Sequence, residues 1–128
     1  MISEAELRSF ANDPFNEILV GDCEKNALKV FKKYGGAIFE GYVSYIGKSS
    51  EVSTTEHYWN VIKSNAVNSS HQIIDIANYL NNSWVIYSNH SGTECSVTYI
   101  EGLEKQREVD RNAREERARR VAGGVHKI

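Results

Sequence analysis

Several things that usually classify a chain are scarce or missing here. Two cysteines, Cys23 and Cys95, are too few to staple a chain of 128 residues into a disulfide framework. Both are therefore read as thiols, which suits a reducing compartment such as the cytoplasm. Charge of one sign is lacking too: Lys and Arg number 15 against 17 Asp and Glu, for a formal net charge of −2. Nothing in that balance calls for a nucleic acid or a membrane surface as partner. No apolar run approaches the ~20 residues of a spanning helix. The opening "MISEAELRSF" is acidic and amphipathic, unlike a secretory signal. No C-x-x-C or H-x₃₋₅-H spacing joins the thiols to His57, His71, His90 or His126, so no metal is expected. No glycine-rich phosphate loop occurs either, because "VAGGV" follows a charged segment and not a strand, and no other cofactor is implied. There is no internal repeat.

What remains is an ordinary globular composition, 41% hydrophobic and 25% charged, in a length that suits one domain. Ser3, with Glu6 three residues on, predicts a capped first helix that ends at Asn12-Asp13-Pro14. Asp22 is placed to cap a second helix over Cys23 to Tyr34. There Ala27, Phe31 and Tyr34 share a face with Cys23, and Gly35-Gly36 stops the helix. "AIFEGYVSYIG" predicts a strand and "KSSEVSTTE" a polar loop. "HYWNVIK" and "HQIIDIA" predict two strands joined by the turn-rich "SNAVNSS", and "WVIYS" and "CSVTYI" a second hairpin around "NHSGTE". From Gly102 a charged helix begins, with 8 Lys/Arg and 6 Asp/Glu between Glu101 and Ile128. Its acid-to-base pairs Asp110–Arg114, Glu115–Arg119 and Glu116–Arg120 support an exposed helix. Its sparse apolar stripe of Leu103, Val109 and Ala113 leaves it to project or to dock on a protein partner. The order predicts an α+β fold with a largely antiparallel sheet, in a domain over 1–100 followed by a charged helix and tail over 101–128.

Three residues stand out chemically. Cys23 opens a helix, where unpaired amides and the dipole favour a thiolate, although a free cysteine commonly only packs. His57 lies beside Tyr58 and Trp59, and Asp75 falls inside the apolar "IIDIA". A buried carboxylate is costly unless paired. His57 and Asp75 are symmetric about Ala66, so a simple hairpin centred there sets them across from each other on one face. Asp75 can then hold one imidazole nitrogen and leave the other free. A slip of one residue would part them. Structural pairing of Asp75 with a tyrosine or lysine, a solvent-facing position for it, and a merely satisfied His57 are the alternatives.

The order of Cys at a helix start, His in a strand followed by aromatics, and Asp on the next strand resembles the papain/transglutaminase-like cysteine superfamily. The likeness rests on "GDCEKNALKVFKKYGG", "EGYVSY", "HYWNVI" and "IIDIA", over about residues 15–90. It implies a nucleophile helix packed on an antiparallel sheet and a Cys23–His57–Asp75 triad. The activity implied is acyl transfer on an amide bond of a protein through a thioester, as in a peptidase, glutamine deamidase or transglutaminase. Papain-fold bacterial toxin domains share the order, which suggests a toxin or effector delivered into a reducing compartment. Where papain-like peptidases place an oxyanion-binding glutamine, this chain has Glu17, which cannot donate while ionised. Asn16 or a backbone amide would then serve beside the Cys23 amide, and Trp59 is the candidate substrate-binding residue. A non-catalytic inhibitor or adaptor on the same fold is the competing reading, and an unrelated α+β binding protein a third.

Overall fold

The computed structural model describes residues 1–46, 49–63 and 70–124. Helix α1 spans Glu4–Asn12, with Ser3 Oγ accepting from the Glu6 amide at 3.2 Å. Pro14–Asn16 form a 3₁₀ turn, and helix α2 runs Cys23–Tyr34. Asp22 sits at its start but offers no side-chain cap; its carbonyl accepts from Asn26 instead. Gly35, at φ +75°, ends α2 with its amide on Phe31 O, a conformation a side chain would strain.

Strands β1 (Ala37–Ile46), β2 (Val52–Ile62), β3 (Gln72–Ile74) and β4 (Tyr87–Cys95) form one antiparallel sheet in the order β3-β2-β1-β4. Helix α3 occupies Val97–Gly124. The class is α+β, as the sequence predicts. Ile74 and Ile76 pack with Leu7, Ala11, Ile18 and Val30 beneath α1 and α2. Ala27, Leu28, Ile38 and Ile100 join α2, the sheet and the first turn of α3. The opposite face of the sheet gathers Val43, Trp59 and Val61 with Phe39 and Tyr87.

Three sequence expectations are corrected. Val52–Glu56, expected in a polar loop, lengthen β2: their β-branched Val, Thr and Thr suit a pleated edge and pair with Tyr42–Ile46. The strand around Asp75 is cut to Gln72–Ile74, and Ile76–Tyr79 turn into a 3₁₀ helix. The predicted hairpin around "NHSGTE" does not exist. Those residues are the body of β4, and Val97–Ile100 begin α3. Their turn-like composition serves two other needs. Between the pairs Tyr42↔Ser91 and Ser44↔Ser88 the register shifts, so Asn89 and His90 face the single residue Val43. Asn89, at φ 53°, marks this bulge. At Gly41↔Gly92, β1 and β4 come so close that a Cβ on Gly41 would lie 2.1 Å from Ser91 O.

The charged helix is longer than expected, ~42 Å at 1.5 Å per residue, and exposed from Lys105 to Ala122. Of the apolar stripe only Leu103 packs on the body. Glu116–Arg120 closes at 2.7 Å, whereas Asp110 accepts from Gln106. No helix among the described residues is long and apolar enough to cross a membrane.

Candidate functional site

Two buried asparagines set the frame. Asn60 of β2, 1% exposed, donates from Nδ2 to Ala27 O at 3.0 Å, pinning the strand to the first turns of α2. Asn26 donates to Leu19 O at 2.8 Å and accepts from the Leu19 amide, tying the incoming loop to the helix start. Each saturates backbone groups that would otherwise be left buried without partners. Together they hold Cys23 near the part of β2 that carries His57.

His57 and Asp75 meet. Their side chains are 7% and 8% exposed, and His57 Nε2 lies 2.8 Å from both Oδ1 and Oδ2. The hairpin is not centred on Ala66, which lies outside the described residues. The observed pairs Asn60↔Ile74 and Ile62↔Gln72 are shifted by two residues from that register. A shift of two preserves the face, since side chains alternate with period 2. Continued by one step, the register sets Asp75 across from Trp59 and diagonal to His57.

Asp75 has a second partner that sequence spacing does not reveal. His90 Nε2 lies 3.0 Å from Oδ2, its side chain 9% exposed. Burial pushes the Asp75 carboxyl up, but hydrogen bonds and charge from His57 and His90 outweigh it and hold the group below its ordinary value. It is therefore an ionised acceptor, and the Nε2 of each ring carries the hydrogen. In a neutral His57 this leaves Nδ1 with a free lone pair. Tyr87 and Trp59 wall the ring, with centroids 4.3 and 6.4 Å away.

The depressed carboxyl has a consequence in acid. It stabilises the fold fully above the unfolded value of ~3.9, and that contribution fades as pH falls through the lower folded value. Urea unfolding between pH 2 and 6 should show wild type losing more stability below about pH 4 than Asp75→Asn loses. The difference in slope should reach at most about 1.4 kcal/mol per pH unit, one proton's worth. Parallel curves would mean that Asp75 is not held low.

Cys23 Sγ approaches β2 at its open side. There, among the described residues, β3 pairs only with Asn60–Ile62, and the Tyr58 backbone amide lies near enough to the sulfur to favour its charged form. The Sγ hydrogen bond to a side chain goes to Glu24 Oε2 at 3.5 Å, and none joins Cys23 to His57 among the described residues. The helix start does not leave this thiol acidic. Burial first, then the Glu24 charge, push it up to about 11, against the smaller pull of the Tyr58 amide. Glu24 is itself 6% exposed and bound by Arg107 of α3 at 2.9 Å. Thus α3 supplies the counter-charge to the carboxylate beside the thiol.

Two expected site residues lie elsewhere. Asn16 donates to Phe10 O at 3.0 Å and lines a cavity with Lys33 and Tyr34, at the end of α2 opposite Cys23 and some ~16 Å along its axis. It is not placed as an oxyanion donor. Trp59 is 2% exposed, its ring against Gly92 and edge-on to His90, so it walls the site from within and is no substrate-binding surface. Glu17 turns to Lys25 at 3.1 Å. Cys95 packs near Val97 with its thiol on Ile38 O, and burial, then the carboxylates of Glu40 and Glu94, push it up. An open cavity of about 300 Å³ lies on the helix-facing side of the sheet, lined by Glu40, Tyr42, Glu56, Tyr58 and Tyr99, whereas the His57 ring lies on the other face, where a cavity of about 360 Å³ has Asp75, Tyr87 and His90 in its lining. Among the described residues no group of three or more His, Cys, Asp or Glu is arranged to hold a metal ion. No family model, curated protein or solved structure matches the chain.

Proposed function

We propose that this chain is a cysteine-dependent acyl-transfer enzyme with a papain/transglutaminase-like core, acting on an amide bond of a protein substrate. One observation carries the reading. Asp75 clamps Nε2 of a buried His57, while Cys23, on the α2 side of the sheet, brings its sulfur to the open edge of β2 near the Tyr58 amide, next to the residue whose ring lies on the other face. His57 Nδ1 would take the thiol proton as Sγ attacks the carbonyl carbon. The tetrahedral oxyanion would be held by first-turn amides of α2, Cys23 N–H among them. It would collapse by expelling the amine, which takes the proton back from His57, and leave a thioester. Water or a second amine would then resolve the thioester, giving hydrolysis, deamidation or transamidation. The small core fits a toxin or effector domain.

Because burial and Glu24 keep the thiol protonated at rest, the base must act during attack, not by maintaining a thiolate. The same observation favours a second reading, a non-catalytic module on this fold that binds a protein through its exposed charged helix.

Alkylation separates the two. With iodoacetamide at pH 7.5, read by mass spectrometry, Cys23 should label faster than Cys95. His57→Gln should remove that advantage, and Glu24→Gln, which deletes the charge beside the thiol, should raise the Cys23 rate about threefold to tenfold. Equally slow labelling of both thiols, unmoved by either substitution, would sink the enzyme reading in favour of the binding module.

A further inference from the structure

Asp75 serves two histidines, and the acyl-transfer reading uses only one. We propose that His90 is a positioning residue. By donating to Asp75 Oδ2 it fixes the carboxylate, and through it the orientation and tautomer of His57. This deepens the proposed function and rests on it.

The backbone of β4 supports the assignment. Tyr87 pairs with Tyr45 and its ring meets His57, so Tyr87 lies on the His57 face and Ser88 on the other. Plain alternation would send His90 to the same side as Ser88, away from Asp75. The bulge opposite Val43 adds one residue, reverses the alternation, and delivers His90 to the carboxylate. It does so at the expense of a left-handed Asn89, φ 53°. Strain of this kind persists where the surrounding structure fixes it. Gly92, two residues on, then admits the Trp59 ring against which His90 packs at 4.9 Å.

The hydrogen bonds also divide the work. Oδ1 serves His57 alone, whereas Oδ2 is shared by both rings. Without a donor at position 90 the carboxylate can turn about its last bond. The His57 ring then loses the restraint that keeps its hydrogen on Nε2 and its lone pair on Nδ1.

The test uses two substitutions that separate packing from donation. His90→Phe retains an aromatic ring against Trp59 and lacks the donor; His90→Gln retains an N–H for Oδ2. Nitrogen-15 spectra of the histidine rings report the His57 tautomer, thermal melting reports the fold, and Cys23 alkylation reports reactivity. A hydrogen bond to a charged group is worth enough that His90→Phe should slow Cys23 alkylation about tenfold or more. It should also convert the His57 Nε2–H signal to a mixture, while His90→Gln stays near wild type in both. If a folded His90→Phe keeps the wild-type tautomer and rate, His90 acts by packing alone; if Phe and Gln are equally impaired, the retained N–H does not suffice; either result overturns the proposal. Failure of the enzyme reading has a different signature: Cys23 is unreactive in the wild type, while the tautomer still responds to His90→Phe.

Discussion

Asp75→Asn is expected to lower acylation of Cys23 by ~10³–10⁴-fold, the scale set by replacing the orienting aspartate of a Ser-His-Asp triad. Both carboxylate oxygens are occupied, Oδ1 by His57 and Oδ2 by His57 and His90. An amide nitrogen at the Oδ2 position would face two imidazole N–H groups, so the amide should settle with nitrogen at Oδ1. There it confronts His57 Nε2–H at a site where the carboxylate accepted. The ring can relieve the conflict by moving its hydrogen to Nδ1, which consumes the lone pair that would take the thiol proton in the proposed mechanism. Stability should fall as well, by about 3 kcal/mol, because one partner of a buried pair has been removed. Mass spectrometry with an anilide probe reads the first effect, and urea unfolding at pH 7 the second. A variant that acylates at the wild-type rate would reduce Asp75 to a structural partner of His57.

The largest effect on the fold is expected at Gly41→Ala. The added Cβ would lie 2.1 Å from Ser91 O and 2.5 Å from Gly92 Cα, and both obstacles are backbone. No side chain can swing aside, so β1 and β4 must part. A loss of about 4 kcal/mol or more follows, in the range reserved for overpacking of this kind. Since β4 carries Tyr87 and His90, the damage should spread to the site. Hydrogen exchange should show β4 amides losing protection before those of α2. Wild-type stability in Gly41→Ala would mean that the strands are less tightly apposed than described.

The sequence is legible where a local rule has one meaning. Ser3 and Glu6 mark the start of α1, Gly35 ends α2, and α2 begins at Cys23 as its spacing predicts. His57 and Asp75 are found on one face despite a register two residues from the expected one, because an even shift leaves the face unchanged. The reading fails where one residue type serves two purposes. Asn89, Ser91 and Gly92 are turn formers, but here Asn89 enters a bulge and Gly92 admits a neighbouring strand and an indole. His90 lies inside that turn-like stretch. Its contact with Asp75 depends on a bulge that leaves no spacing signal of its own. Sequence neighbours point Trp59 to substrate and Asn16 to an oxyanion, but burial against Gly92 and a hydrogen bond to Phe10 O redirect them. Nor does the position of Cys23 at a helix start disclose that Glu24 and burial raise its pKa.

The Asn89 bulge has one more effect, which concerns other molecules. β4 ends the sheet order, so its outer rim carries amides and carbonyls that no described strand engages. A straight rim of that kind is a template on which a second chain can add a strand and seed aggregation. The extra residue breaks the even spacing of those groups midway along β4, between Ser88 and Ser91. An incoming strand can match the rim on one side of the break but not on both. The irregularity that directs a histidine inward thus also leaves the outward edge a poor partner for self-association.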